Sequence, residues 1–367
     1  MLSSPLAFLR GNAPLFYEIL AESPELAAGP GDEGWIVGDA HLENFGAFQT
    51  LVLDPSGGPA RKTATFDLND FDEAVRGPWR WDVLRLATSV ILASRELGVN
   101  GTKSIAMCGT LLAGYASAAS CSAGAPPRPQ PVLRLVERMA KRTKRDLLEA
   151  RTSLVAGKRL FTRGERYRDL PVEVLAHLPQ SLARYAAQLP DAERPALQRL
   201  QIIDAAHRIA GTGSLGALRI AVLAQGKGAP DSHWLFDMKE QLAPAALPLL
   251  SEAPSSLAES RATACRACLA GPPRMLGTAE LSGTSLLVRR LAPQEDKLNL
   301  QQLQKLELEP LAQYLGAVLG AAHARGAGSL PRPQWSLSDR AALLERAVAL
   351  AGLHEATYLA YCALSAA

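Results

Sequence analysis

Apolar residues recur at helical spacing over long stretches of the 367-residue chain, and the places where that period breaks organise it. Residues 1–30 read as helical. GWIVGDAHLENFGAF then begins on a short apolar strand, Trp35 to Val37, and turns polar. In AFQTLVLDPSGGPARKTATFDLNDFDEA two β-type runs flank the turn-rich DPSGGP, the pattern of a hairpin whose second strand runs out into acidic residues. Helix is expected from Trp81 to about Ala119, a loop at the Pro-rich CSAGAPPRPQP, and helix again over 132–205. GTGSLGALRIAVLAQGKGAPDSHWLFDMKEQL changes character, with a Gly-rich turn, strand-like LRIAVLA, a polar tip and strand-like HWLFDMK. A helix near 255–270, a strand from Ser285 to Leu291, a strong helix near 309–325 and terminal helices to Ala367 complete the pattern. No repeat of solenoid period is present. The expected fold is α+β, a helical body carrying a small antiparallel β unit.

Composition narrows the function classes without naming one. With 48% apolar and 20% charged residues the chain buries a real core, which excludes collagen-like, disordered and disulfide mini-protein classes. Its formal charge of +3, from 39 basic and 36 acidic residues, demands neither nucleic acid nor a membrane as partner. The five cysteines are scattered, and Cys265-x-x-Cys268 lacks the further ligands of a zinc site, so a reducing cytoplasm is expected. The N-terminal stretch lacks a basic n-region, and no run reaches about 18 uninterrupted apolar residues, so neither a signal peptide nor a membrane span is expected. Oligomeric state is left open. A basic bias appears once, over 134–168, where 12 Lys or Arg face four Asp or Glu; it reads either as an exposed amphipathic helix or as a platform for an anionic acceptor.

Two polar clusters carry the chemistry. In GDAHLENFG, Asp39, His41, Glu43 and Asn44 lie within six residues at the end of a strand, which fits either a site loop or a hydrogen-bonded polar turn. In FDLNDFDEA, Asp67, Asp70, Asp72 and Glu73 repel one another unless a cation or solvent separates them. A hard divalent ion, Mg²⁺ or Mn²⁺, suits such oxygen donors, whereas a fully exposed turn needs none. Asp82 opens a helix-like run and reads equally as a charge favoured by the helix dipole. GTGSLG at 211–216 is followed by a strand rather than a helix, so it is not a dinucleotide turn. Lys239, on the second strand, either snorkels to water or meets an anion.

Taken together, these segments resemble the protein-kinase-like phosphotransferases, most closely the aminoglycoside and choline kinase branch, with the motif order circularly permuted. GDAHLEN looks like that branch's catalytic loop, which would make Asp39 catalytic and Asn44 a metal ligand. NDFDEA looks like its metal-binding segment, with Asp70 as the second ligand. GPWRWDVLRLA is similar to the stretch that follows, where Asp82 would brace the catalytic loop. Gly211, Thr212, Gly213, Ser214, Leu215 and Gly216 would cover ATP phosphates, and Lys239 would neutralise them. Glu259 stands at a kinase-like distance to pair with Lys239, or else closes a helix cap with Ser256. His41, Asp67 and Asp72 would support the site. The arrangement also resembles a bacterial family known as domain of unknown function 2252. The resemblance implies a two-lobed fold: a large helical lobe from 1–205 and 293–367, and a small β-rich nucleotide lobe at 206–292. It implies an ATP- and Mg²⁺- (or Mn²⁺-) dependent phosphotransferase with an unidentified acceptor. AMP transfer to protein, a nucleotide-binding pseudokinase and a metal phosphoesterase using Asp39, His41, Asp67 and Asp70 are the alternatives.

Overall fold

The computed structural model describes residues 3–52, 61–122, 125–191, 193–194, 201–209, 216–225, 233–292 and 295–366. Three short helices begin it, α1 (Pro5–Gly11), α2 (Ala13–Glu22) and α3 (Pro24–Ala27), each with proline in its first turn, where a missing N–H breaks no helical bond. Ser4 and Asn12 cap the first two by accepting from Ala7 N and Leu15 N. Next come β1 (Glu33–Ile36), the paired β2 (Phe45–Val52) and β3 (Arg61–Leu68), and β4 (Val75–Pro78), which returns to pair with β1. The hairpin thus stands where the alternating runs predict it, with its tip outside the described residues.

Two long helices follow, α4 (Trp79–Glu96) and α5 (Gly101–Ala119), then α6 (Gln130–Ala140) and α7 (Lys144–Glu149). The helix expected over 132–205 forms only in part, as α6, α7 and α8 (Val172–Gln188). A hairpin of β5 (Thr152–Val155) and β6 (Lys158–Phe161) and the strand β7 (Tyr167–Arg168) interrupt it, and β8 (Ile202–Arg208) ends it. The cause is local. Ala156 and Gly157 both take positive φ, 49° and 77°, the turn that closes a two-residue hairpin.

The remaining strands, β9 (Arg219–Ala224), β10 (Trp234–Glu240), β11 (Gly277–Leu281) and β12 (Thr284–Arg290), join β7 and β8 in a six-stranded sheet of order β11-β12-β10-β9-β8-β7. Every strand pair in the described chain is antiparallel, so the class is mixed α+β with antiparallel sheets. Residue 206 falls inside β8, so the sheet reaches upstream of the expected boundary. Strand alternation gives it two unlike faces. Ile220, Val222, Phe236, Met238, Leu286 and Val288 pack with Leu178, Leu182 and Tyr185 of α8. The opposite face carries Leu223, Leu235 and Leu291 at one end and charged residues at the other.

Between β10 and β11 runs α9 (Leu257–Cys268); after β12 come β13 (Glu295–Lys297), which extends the β2–β3 sheet, then α10 (Leu308–Gly326) and α11 (Leu337–Ala366). The largest core draws on both ends of the chain, from Leu6 and Leu9 to Leu343, Ala347 and Leu350. At its centre α5 and α10 approach so closely that a Cβ at Gly114, Gly316 or Gly320 would overlap a carbonyl oxygen of the other helix. Residues 337–365 of α11 are long and apolar enough to cross a bilayer; only 22% of the most apolar window is buried, and Leu359 and Leu364 are exposed. On its inner face His354 is fully buried and stacks on Phe16 at 6.0 Å.

The glycine crossing predicts opposite signs for one substitution type. Gly316→Ala should destabilise by about 1–3 kcal/mol through backbone displacement. Gly352→Ala, exposed with no atom within 4 Å of the new methyl, should stabilise by about 0.5–1 kcal/mol, both read as urea midpoints. His354 supplies a pH test. Burial, with the Arg85 charge, pushes its pKa down to about 3. The unfolded chain therefore binds the proton first, and the stabilisation present above about pH 6.5 is lost as pH falls from there toward 3. His354→Phe should remove a loss on the order of 2 kcal/mol at pH 5 relative to pH 7.5; equal acid sensitivity in both proteins would contradict this.

Candidate active site

The loop after β1 is fixed by one face of α4. Asp82 accepts hydrogen bonds from Val37 N (2.6 Å) and Gly38 N (2.9 Å). Three residues on, Arg85 Nε donates to Asp39 Oδ1 at 2.6 Å. Seven on, Ser89 Oγ accepts from Leu42 N at 3.2 Å. All three side chains are fully buried, and their spacing aligns them along the helix. Gly38 has φ +79°, and a Cβ there would strike the Glu73 carbonyl, so this position needs glycine on both counts. Tyr17 donates to Gly38 O (2.7 Å), and Asn44 closes the loop by donating from Nδ2 to Asp39 O (2.7 Å).

Burial pushes the Asp39 carboxyl up, and the Arg85 guanidinium opposes that shift. Its other oxygen lies 3.7 Å from His41 Nε2. Glu43 N donates to His41 Nδ1 (3.2 Å), which assigns the proton to Nε2, facing Asp39. Burial and the charges of Arg85, Arg10 and Lys297 hold His41 well below the ordinary range, so it is neutral. Arg10 pairs with Glu43 at the rim.

The acidic segment after β3 does not act as one cluster. Asp67 is buried, accepting from Arg325 Nη2 (2.7 Å), Ala270 N (3.1 Å) and Leu68 N (2.9 Å), so it ties β3 to the turn after α9 and to α10. Glu73 accepts from Ala245 N at 2.6 Å. Asp72 pairs with Lys239. Asp70 stays open to solvent on one side while protein crowds it on the others. That crowding and the neighbouring Asp72 charge push it up to about 7, against Lys239. The two loops adjoin through Gly38 against Glu73 and through Asn69 N donating to Asn44 O at 3.0 Å.

The sheet reaches this floor through Lys239, whose partner is Asp72 and not Glu259. Glu259 stands exposed in the first turn of α9, its N–H donating to Ser256 Oγ at 3.3 Å, because that helix turns another residue inward. This residue is Arg261, buried and bonded to Gln241 Oε1 (3.0 Å) and Leu242 O (2.7 Å), within the field of Glu73, Asp72 and Asp70. Asp237 is buried beside Lys239. Burial favours its neutral form, yet Arg219 and Arg208 hold its carboxyl well below the usual range. Of the glycine segment, Gly216 lies just before β9 with φ +92°; Gly211, Thr212, Gly213, Ser214 and Leu215 lie outside the described residues.

Oxygen donors of this kind fit a hard divalent ion held partly by a substrate. Asp70 is open, next to a second carboxylate, and Asn44 is on the adjoining loop. Among the described residues no three His, Cys, Asp or Glu side chains form a cage, and Mg²⁺ commonly binds through one or two carboxylates plus phosphate. Arg85, Ser89 and Arg261 are not singled out by the sequence reading. Polar residues at i, i+3 and i+7 in the apolar WDVLRLATS were the available signal for the first two. Four arginines of the basic segment are held in ion pairs, Arg134 with Glu307, Arg138 and Arg142 with Asp296, and Arg163 with Asp204. Cys265 and Cys268 are free and buried, and burial pushes both thiols up, Cys265 to about 12, against redox or metal reactivity.

Two acids should separate scaffold from site. Asp82→Ala leaves Val37 N, Gly38 N and His323 without their shared acceptor and should cost about 3–5 kcal/mol. Asp70→Asn removes a repulsion from an open position and should leave stability unchanged or raised in urea melts. A marked loss in Asp70→Asn would mean that Asp70 is scaffold as well.

No curated protein and no solved structure matches the chain. A family model does match, over residues 1–364, and it spans both loops, the sheet and the helices that hold them. The chain therefore belongs to the family described as an uncharacterized protein conserved in bacteria, DUF2252.

Proposed function

We propose that the chain is an ATP- and Mg²⁺-dependent phosphotransferase with a circularly permuted, two-lobed kinase-like arrangement. The observation that carries this reading is the Lys239–Asp72 pair. It sets the one strand lysine of the charged sheet face against an acidic loop that itself abuts the Asp39–Asn44 loop. This meeting of segments supports a site in which Asp39 would orient the acceptor, Asn44 and Asp70 would supply metal-type oxygens and Lys239 would neutralise phosphate.

Asp39 is the residue for the acceptor hydroxyl. Arg85 occupies Oδ1 and favours the ionised form, which leaves Oδ2 beside the His41 Nε2–H to orient or take the proton. Asn44 and Asp70 would hold Mg²⁺, which when bound neutralises charge on the transferring phosphates. Lys239 and the backbone of 211–216 would hold the nucleotide. Asp82 keeps the loop in place and touches none of the reacting atoms. A metal phosphoesterase using Asp67 is less well supported, since Arg325 already occupies that carboxylate.

Binding and turnover are tested separately. ATP with Mg²⁺ at 100 times its dissociation constant should stabilise the chain by about 2.7 kcal/mol in thermal melts. Asp39→Asn and Asp70→Asn should each slow phosphoryl transfer by roughly 10²–10³ or more while retaining the native circular dichroism spectrum. Label from γ-phosphate rather than α-phosphate ATP should reach the acceptor; α-label would mark AMP transfer, and binding without any turnover a pseudokinase. Full turnover in either variant, or no stabilisation by nucleotide with either Mg²⁺ or Mn²⁺, overturns the reading.

A further inference from the structure

Lys239 is held twice, by its ammonium and by its backbone. The ammonium pairs with Asp72. The carbonyl oxygen accepts from Gln241 Nε2 at 2.8 Å, because the Gln241 side chain folds back along the strand that it follows. On its other side that amide offers Oε1 to Arg261 Nη1 at 3.0 Å, while Arg261 Nη2 donates to Leu242 O at 2.7 Å. A guanidinium has donors only, so the orientation of the Gln241 amide is settled by its partner. Arg261, Gln241 and Lys239 are 1%, 6% and 9% exposed, so water competes little for these bonds. Four residues after Gln241 the chain reaches the acidic loop, where Ala245 N donates to Glu73 Oε2 at 2.6 Å. Glu73 adjoins Asp72, so the bonds close a ring from Lys239 to Asp72 and Glu73, on to Ala245, and back through Leu242 and Gln241 to Lys239.

Arg261 grips that ring from α9 at two adjacent residues. Burying a guanidinium costs more than packing an apolar side chain of like volume, so stability alone gives no reason for an arginine here. The stem of a lysine is flexible, and its ammonium is only as well placed as the backbone that carries it. We propose that Arg261 is a positioning residue for Lys239: acting through Gln241, it fixes the carbonyl of that residue and so keeps the ammonium on the acidic loop. In this arrangement α9 holds the lysine from behind and leaves its ammonium for Asp72 or a phosphate. The inference rests on the phosphotransferase reading for what Lys239 does, and on bonds within the fold for how it is placed.

The test reads the amine itself. The full chain, without nucleotide, is trace-labelled with acetic anhydride, and acetylation of Lys239 is measured by mass spectrometry against that of Lys141 and Lys158, which are exposed. Arg261→Gln and Gln241→Met should each raise the relative labelling of Lys239 by about threefold or more, with Arg261→Lys between them and the wild type. Asp72→Asn, which takes away the partner of the ammonium, should raise it as well. The decisive readout is the double-mutant cycle. With Asp72→Asn in place, Arg261→Gln should add no further rise, whereas a merely structural role adds its effect in either background. Unchanged Lys239 labelling in both Arg261→Gln and Gln241→Met, or a full further rise in the Asp72→Asn background, overturns the proposal. Should Arg261→Gln not fold by circular dichroism, Gln241→Met carries the same cycle. Labelling that follows Arg261 in a protein that ATP does not stabilise keeps the positioning role and removes the phosphotransferase reading. Labelling indifferent to Arg261 and Gln241 in a protein that ATP with Mg²⁺ stabilises does the reverse.

Discussion

A single carboxylate, Asp82, sets the geometry on which the candidate site depends. Its relative exposure is zero, and an ionised acid in such a place is costly unless donors surround it. Here the donors come from separate segments: two backbone N–H groups at the end of β1 and Nε2 of His323 on α10 at 3.1 Å. His323 is fixed in turn by Tyr115 Oη at 2.9 Å and by Trp79 stacked 5.8 Å away. Each partner is thus tied to one acceptor, and the start of the polar loop cannot shift without leaving a buried group unsatisfied.

From that anchor the acidic residues sort into two kinds. Asp67, Asp82 and Asp237 are buried and saturated with donors, and they hold segments together. Asp39, Asp70 and Asp72 are more accessible, and each meets another group of the candidate site: Arg85 and His41, the neighbouring acid, or Lys239. Satisfied buried acids rigidify, whereas crowded and partly paired acids are the less settled ones. That contrast, more than the number of carboxylates, distinguishes the candidate site from the rest of the polar interior.

Legibility in the sequence followed distance along the chain. GDAHLEN and the β2–β3 hairpin are local patterns, so their position and secondary structure could be read directly. The strand bearing Lys239 between apolar neighbours was likewise legible, and in the structure Phe236 and Met238 face α8 with Lys239 on the other side. Long-range pairing was not legible. Four acids in seven residues look like one cluster until Arg325, 258 residues from Asp67, claims the first of them. Glu259 had the spacing to meet Lys239, but the helix it belongs to presents Arg261 inward instead. The β5–β6 hairpin was hidden by its basic residues, which obscure alternation in a run only four residues long on each side.

The bond between Asp82 and His323 spans 241 residues, and this separation has a consequence for how the protein comes off the ribosome. The motif-bearing segments are made before the helix that completes their anchor, by 241 residues between Asp82 and His323. At synthesis rates of about 5–20 residues per second, the Asp82 carboxylate waits roughly 12–50 seconds for its histidine. During that interval α4 exposes an aspartate and an arginine on a helix otherwise rich in apolar side chains, with no finished core to receive them. Until α10 is made and packs against α5, the Asp82 carboxylate lacks that third donor.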